Sequence, residues 1–161
     1  MKAVTNSSVL IALSTIGQLS LLHQRFPEGL LLPQAVWREV VETGADIPGS
    51  REVASASWLT RRAITNNALA TLLRLELDEG EAEAISLYLE EPVEAILLDE
   101  KNARKVARRM GLPVLGTLGI LIWAKKNGSI PILREQLDAL RLGKFRLSQL
   151  IYQEALNQVG E

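Results

Sequence analysis

The run Ala95-Ile96-Leu97-Leu98 carries no polar residue until it meets Asp99, and the stretch from Lys101 to Met110 that follows has the composition of a helix. A short, wholly apolar run of this kind reads as a strand buried on both faces, the situation of a parallel sheet covered by helices. Asp99 then stands at the carboxyl end of a buried strand. Ligands of open α/β sheets bind in the crevice just beyond such ends, so an acid there is better placed for chemistry than one on a helix face.

The rest of the chain repeats the strand–helix alternation. Ala3-Val4-Thr5, Leu30 to Leu32 and Val114-Leu115 read as strands, with Trp58-Leu59-Thr60 as a short edge strand. Ser7 and Ser8 are expected to cap a helix carrying Leu10, Ile11 and Leu13 that Gly17 ends. Pro33 opens a helix in which Ala35, Val36 and Val40 recur at helical spacing while Glu39 points elsewhere. Thr43 to Gly49 is a loop, Leu69 to Leu75 is helical, and Gly80-Glu81 starts a helix through Ala84, Ile85 and Leu87. Gly116-Thr117 caps a helix from Leu118 to Lys126, and Pro131 to Val159 holds two more helices parted by Leu142-Gly143-Lys144, Ser148 capping the last. Strands alternating with helices predict one α/β domain over residues 1–161, its parallel sheet covered on both faces through right-handed crossovers.

A chain of 161 residues that is 47% hydrophobic can bury one real core. No apolar run reaches the length of about eighteen residues that a membrane span needs, and no secretory leader pattern opens the chain, so a cytoplasmic protein is expected. The absence of cysteine removes thiolate chemistry and cysteine metal sites. A net charge of -1 gives no global attraction to polyanions, which leaves nucleic-acid binding to a local basic patch.

Three polar residues share the setting of Asp99: Asn6 after the first strand, Glu39 in the helix after the second, and Glu81 at a helix start. Several acids with one histidine and no cysteine favour a hard divalent cation on oxygen ligands, Mg²⁺ or Mn²⁺ rather than Zn²⁺. Such an ion activates water and neutralises developing charge, which suits phosphodiester hydrolysis. Plainer readings stand beside this one. An Asp after a strand is often a helix cap, and an acid in the first turn of a helix is favoured by the macrodipole. Glu100 is a substitute for one of the acids or a solvent-facing neighbour.

Lys101, Arg104, Lys105 and Arg108 fall on one face of the helix beside Asp99, with Ala103, Val106, Ala107 and Met110 on the other. This stripe can hold an RNA backbone or can simply be a solvated face. Ser7 and Thr117 are read as helix caps or as groups that orient a phosphate. His23 has no positioned acid and reads as structural, and Trp37, Trp58 and Trp123 as core or interface anchors.

The block Val4 to Leu13, the pair Glu39-Val40 after Pro33, Gly80-Glu81-Ala82-Glu83-Ala84, and Leu97-Leu98-Asp99 followed by Ala103 and Ala107 together resemble a PIN domain. The similarity is greatest to a PIN-like subfamily related to VapC-type toxins of prokaryotic toxin–antitoxin pairs, in which Gly116-Thr117-Leu118-Gly119 and the tail around Phe145-Arg146 recur. The resemblance spans essentially the whole chain. It implies an α/β/α nuclease fold, Mg²⁺- or Mn²⁺-dependent cleavage of RNA at Asp99, Glu39, Glu81 and Asn6, a homodimer, and inhibition by a small antitoxin protein. Two positions depart from the pattern: Asn6 replaces the usual aspartate of the first strand motif, and the late acid is missing at Gly116-Thr117. The expectation is therefore a toxin-type metal-dependent endoribonuclease, with a catalytically impaired protein that binds RNA or a protein partner as the alternative. A flavodoxin-like small-molecule binder is a third, because a parallel sheet alone does not fix function.

Overall fold

The computed structural model describes residues 1–44 and 46–161. Strands β1 (Ala3–Thr5), β2 (Leu30–Pro33), β3 (Leu59–Arg62), β4 (Ala95–Leu97) and β5 (Val114–Leu115) form one parallel sheet in the order β3-β2-β1-β4-β5. Val4 sits between Leu31 and Ile96 in register, so the centre of the sheet is a band of aliphatic side chains. Alternation does the sorting. Ala3, Leu30, Leu32, Ala95 and Leu97 enter one core, while Val4, Leu31, Ile96 and Leu98 enter the other, as the two-residue period of a strand requires.

The first core is roofed by α1 (Ser7–Thr15), α2 (Ser20–Arg25), α8 (Thr117–Lys126), α9 (Leu133–Leu142) and α10 (Gln149–Gln158), with Val53 of α4 (Ser50–Ser55) at its margin. The second is covered by α5 (Asn67–Leu73), α6 (Glu79–Glu90) and α7 (Lys101–Arg109). The fold is thus three layers, α/β/α, as expected. From α3 (Gln34–Trp37) the helix continues as a π-helical turn, Arg38–Glu42, which carries Glu39.

The chain steps from β1 through β2 to β3 in one direction and returns to place β4 on the other side of β1. Connections leaving β1 and β4 therefore diverge, and a crevice opens at their carboxyl ends. Asn6 and Asp99 stand at its two lips, Asn6 still tied to β4 by its N–H to the Leu97 carbonyl at 3.2 Å.

Local expectations are corrected in places. Ser7 and Ser8 do not cap α1: Asn6 occupies the cap position, the Ser8 hydroxyl donates to Asn6 Oδ1, and the Ser7 hydroxyl donates to Glu39. Pro33 ends β2 rather than starting the helix, and β3 begins one residue after Trp58. The short helices α2 and α4 were not anticipated. His23 lies in α2, separate from α1, with its ring stacked on Trp58 at 5.1 Å between centroids. Within the loop expected from Thr43 to Gly49, Ala45 lies outside the described residues.

Candidate active site at the switch point

Asp99 leaves β4 and turns its carboxylate across to the corner between β5 and α8. Its Oδ1 accepts the Thr117 backbone N–H at 2.7 Å and its Oδ2 accepts the Thr117 hydroxyl at 2.6 Å. Asp99 is therefore a helix cap, but for α8, eighteen positions away, and not for the helix that follows it in sequence. Gly116 makes the approach possible, since a Cβ there would stand 2.9 Å from Asp99 Oδ1 and 3.3 Å from the Leu98 carbonyl oxygen. Burial pushes the Asp99 carboxyl above the ordinary aspartate range, against the opposing pull of the two Thr117 bonds and the Arg104 charge.

Across the crevice stands a group of glutamates. Asp78 and Glu81 form a reciprocal capping box at the start of α6, Asp78 Oδ1 accepting the Glu81 N–H at 2.8 Å and Glu81 Oε1 accepting the Asp78 N–H at 3.1 Å. Glu81 is only 6% exposed. Its carboxyl is raised first by burial and further by the charges of Asp78, Glu100 and Glu39, while the Asp78 N–H bond works the other way. Glu39 is brought to this end by the π-helical turn. Its Oε2 accepts the Ser7 hydroxyl at 2.9 Å and lies 3.7 Å from the space a Gly80 Cβ would fill. Asn6, 3% exposed, uses Oδ1 to accept the Ser8 hydroxyl.

The expected residues thus share the carboxyl end of the sheet but stand in two groups. Glu81 feels the charges of Asp78, Glu100 and Glu39, whereas the charge acting on Asp99 is that of Arg104. Among the described residues no set of three or more His, Asp or Glu side chains is arranged to hold a metal ion. The oxygen donors and the crowding at Glu81 suit a hard cation, and Asp99, each of whose oxygens accepts one bond from Thr117, keeps lone pairs for one as well. Ser7 and Thr117, expected as caps or phosphate-orienting groups, serve these acids directly.

Along α7, Ala103, Val106 and Ala107 are buried, Lys101, Lys105 and Arg108 are exposed, and Arg104 is half-buried. Desolvation and the neighbouring Arg108 lower the Arg104 pKa, which Asp99 partly restores. Glu100, read from the sequence as a substitute acid or a solvent-facing neighbour, joins Asp78 in the acidic group around Glu81. The pattern Asp78-x-x-Glu81 before an apolar run is a legible capping-box signal, but nothing local marks the approach of Glu100 to Glu81.

A three-layer α/β/α domain with a 3-2-1-4-5 parallel sheet and acids at the carboxyl ends of its strands defines an open, doubly wound α/β protein with its candidate site at the switch point. The family model described as PIN domain matches residues 2–161, and the chain belongs to that family. Neither a curated protein nor a solved structure gives a significant match. Membership supports a nuclease-type activity in general terms, and proteins of this class generally use divalent metal ions. No helix of the described residues is long and apolar enough to cross a membrane.

Proposed function

We propose that this chain is a metal-dependent endoribonuclease of the toxin type. The observation that carries the reading is Glu81: a buried carboxylate raised by burial and held in the field of Glu39, Glu100 and Asp78, with a basic helix beside the same crevice. Crowded like charges favour a bound cation, which relieves them. Glu39, Glu81, Asn6 and Asp99 are the residues that would hold Mg²⁺ or Mn²⁺. When bound, such an ion supplies an activated water and neutralises charge on the scissile phosphate. The protein's own part is positioning: Ser7 fixes the Glu39 carboxylate, the capping box fixes Glu81, and Lys101, Lys105 and Arg108 hold RNA phosphates without regard to sequence. A cytoplasmic homodimer inhibited by a small antitoxin protein fits this reading.

A second reading rests on Asn6 and the Asp99–Thr117 pair. An amide stands where the family pattern has a carboxylate, and Asp99 stands with Thr117 and Arg104 rather than with the glutamates, which favours a catalytically impaired protein that binds RNA or an antitoxin-like partner. RNA cleavage with Mn²⁺ or Mg²⁺ against an EDTA control separates the two. On the first reading cleavage needs the ion, Glu81→Gln lowers it at least about tenfold, and Asn6→Asp, which adds a charge at nearly constant size, tightens metal binding and speeds cleavage. Cleavage absent from both the parent and Asn6→Asp, with RNA still bound, establishes the second.

A further inference from the structure

Beside Asp99, on the flank of β5, lies a cavity of about 540 Å³. Its walls come from the start of α7, from β5 and α8, and from the segment Phe145 to Gln158 that wraps back over them. The two halves differ in chemistry. One carries Lys101, Arg104 and Arg146, and the other is formed by Leu118, Ile122, Phe145 and Ile151, with Glu154 and Gln158 contributed by α10. The volume is within the range of about 300–1,000 Å³ typical of small-ligand sites.

Arg104 is the informative residue. Its Nη1 lies 3.5 Å from the space a Gly116 Cβ would fill, so the guanidinium is packed against the β5–α8 corner. Its Nε is buried without a hydrogen-bond partner among the described residues, and Arg104 makes no ion pair there. The nearest acid, Asp99, has both oxygens turned to Thr117. A half-buried cation with unused donors, reinforced by Lys101 and Arg108, is short of an anion. Sulfate-like anions alone would leave the apolar half of the cavity wet.

We infer that this cavity binds one nucleotide unit of single-stranded RNA, with its phosphate at Arg104, Lys101 and Arg146 and its base against Phe145 and the aliphatic wall. A nucleotide joins an anion to a flat apolar body, and that is the pairing the cavity presents. Base–aromatic contact is tolerant of sequence, while Glu154 and Gln158 offer an acceptor and an amide to a base edge. Because Asp99 lines the same cavity, a nucleotide seated there leaves the adjoining strand at the switch-point crevice. The inference deepens the RNA reading above and does not require that the site turn over.

The test is isothermal titration calorimetry with 5′-AMP in EDTA, so that no metal-mediated binding contributes, on the full chain and its variants. Arg104→Gln and, independently, the exposed Arg146→Gln should each weaken 5′-AMP by about tenfold or more, whereas Arg109→Gln, exposed on the same helix and outside the cavity, should leave it within about twofold. Phe145→Ala should weaken 5′-AMP but not inorganic phosphate. Binding of 5′-AMP that is lost with Arg146→Gln but accompanied by no RNA cleavage in Mn²⁺ upholds the cavity and removes the nuclease reading; cleavage without 5′-AMP binding does the reverse. The inference is overturned by phosphate binding as tightly as 5′-AMP, by 5′-AMP affinity indifferent to Arg104 and Arg146, or by an acidic peptide that binds more tightly and displaces the nucleotide.

Discussion

At Glu81 one carboxylate serves two opposing demands. It completes the capping box by accepting the Asp78 N–H, yet it does so buried and in the field of three other acids. Its folded-state pKa is therefore raised above the ordinary 4.5, so the folded protein binds the proton more tightly than the unfolded chain. Stability contributed by the protonated form is present at low pH and is lost as pH rises from the unfolded value through the raised folded one. Glu81→Gln keeps an acceptor oxygen for Asp78 while removing the charge. The variant should melt above the parent at pH 7, with the difference vanishing below about pH 4, where Glu81 is protonated anyway. An equal gain at both pH values would show that packing, not charge, is responsible. Asp99, raised by the same cause but hydrogen-bonded twice by Thr117, adds a dependence of the same sign.

Between elements, the decisive contact is the one that ties the end of β4 to the start of α8. Thr117→Val keeps the shape and the backbone N–H but removes the hydroxyl that donates to Asp99 Oδ2 at 2.6 Å. A hydrogen bond to a charged group is worth about 1.5–3 kcal/mol, so denaturant unfolding should show a loss of that order. A midpoint equal to that of the parent would mean Asp99 finds another donor, and would loosen its assignment as the cap of α8. This contact was not legible in the sequence, because it joins residues eighteen positions apart through a tertiary approach that Gly116 alone permits. Strand β4 and the helix after it were legible, since an apolar run and a one-sided stripe of Ala103, Val106 and Ala107 are local patterns. So was the Ser148 cap, whose hydroxyl accepts the Ile151 N–H at 3.1 Å. Helices α2 and α4, each six residues long, have too few turns to establish a period, and the π-helical turn that aims Glu39 at Ser7 shifts its direction away from any 3.6-residue expectation. Sequence placed the acids at the correct end of the sheet; only tertiary packing divides them between Glu81 and Thr117.

For the whole molecule the open question is what covers its remaining apolar surface. The two faces of the sheet are already roofed, and the β3 edge carries Arg61 and Arg62, paired with Glu42 and Glu91, which discourages strand-to-strand pairing. The tryptophans are also accounted for: Trp37, Trp58 and Trp123 are partly buried and packed on the first core. Large exposed side chains remain at the end of α9 and in α10, Leu142 and Leu150, and on the second layer, where Leu72 is 65% exposed on α5, Leu75 81% just beyond it, and Leu89 50% on α6. Single exposed leucines are ordinary, but two on a pair of packed helices, with a third just past the end of one of them, give a homodimer a surface to bury. Light scattering should therefore report about twice the 17.7 kDa chain mass at micromolar concentration, and Leu72→Glu combined with Leu75→Glu should return the monomer, because two buried, unpaired carboxylates cost more than the apolar contact they replace. A parent protein that stays at the single-chain mass, or a double variant that still dimerises, would show that this face is not the interface.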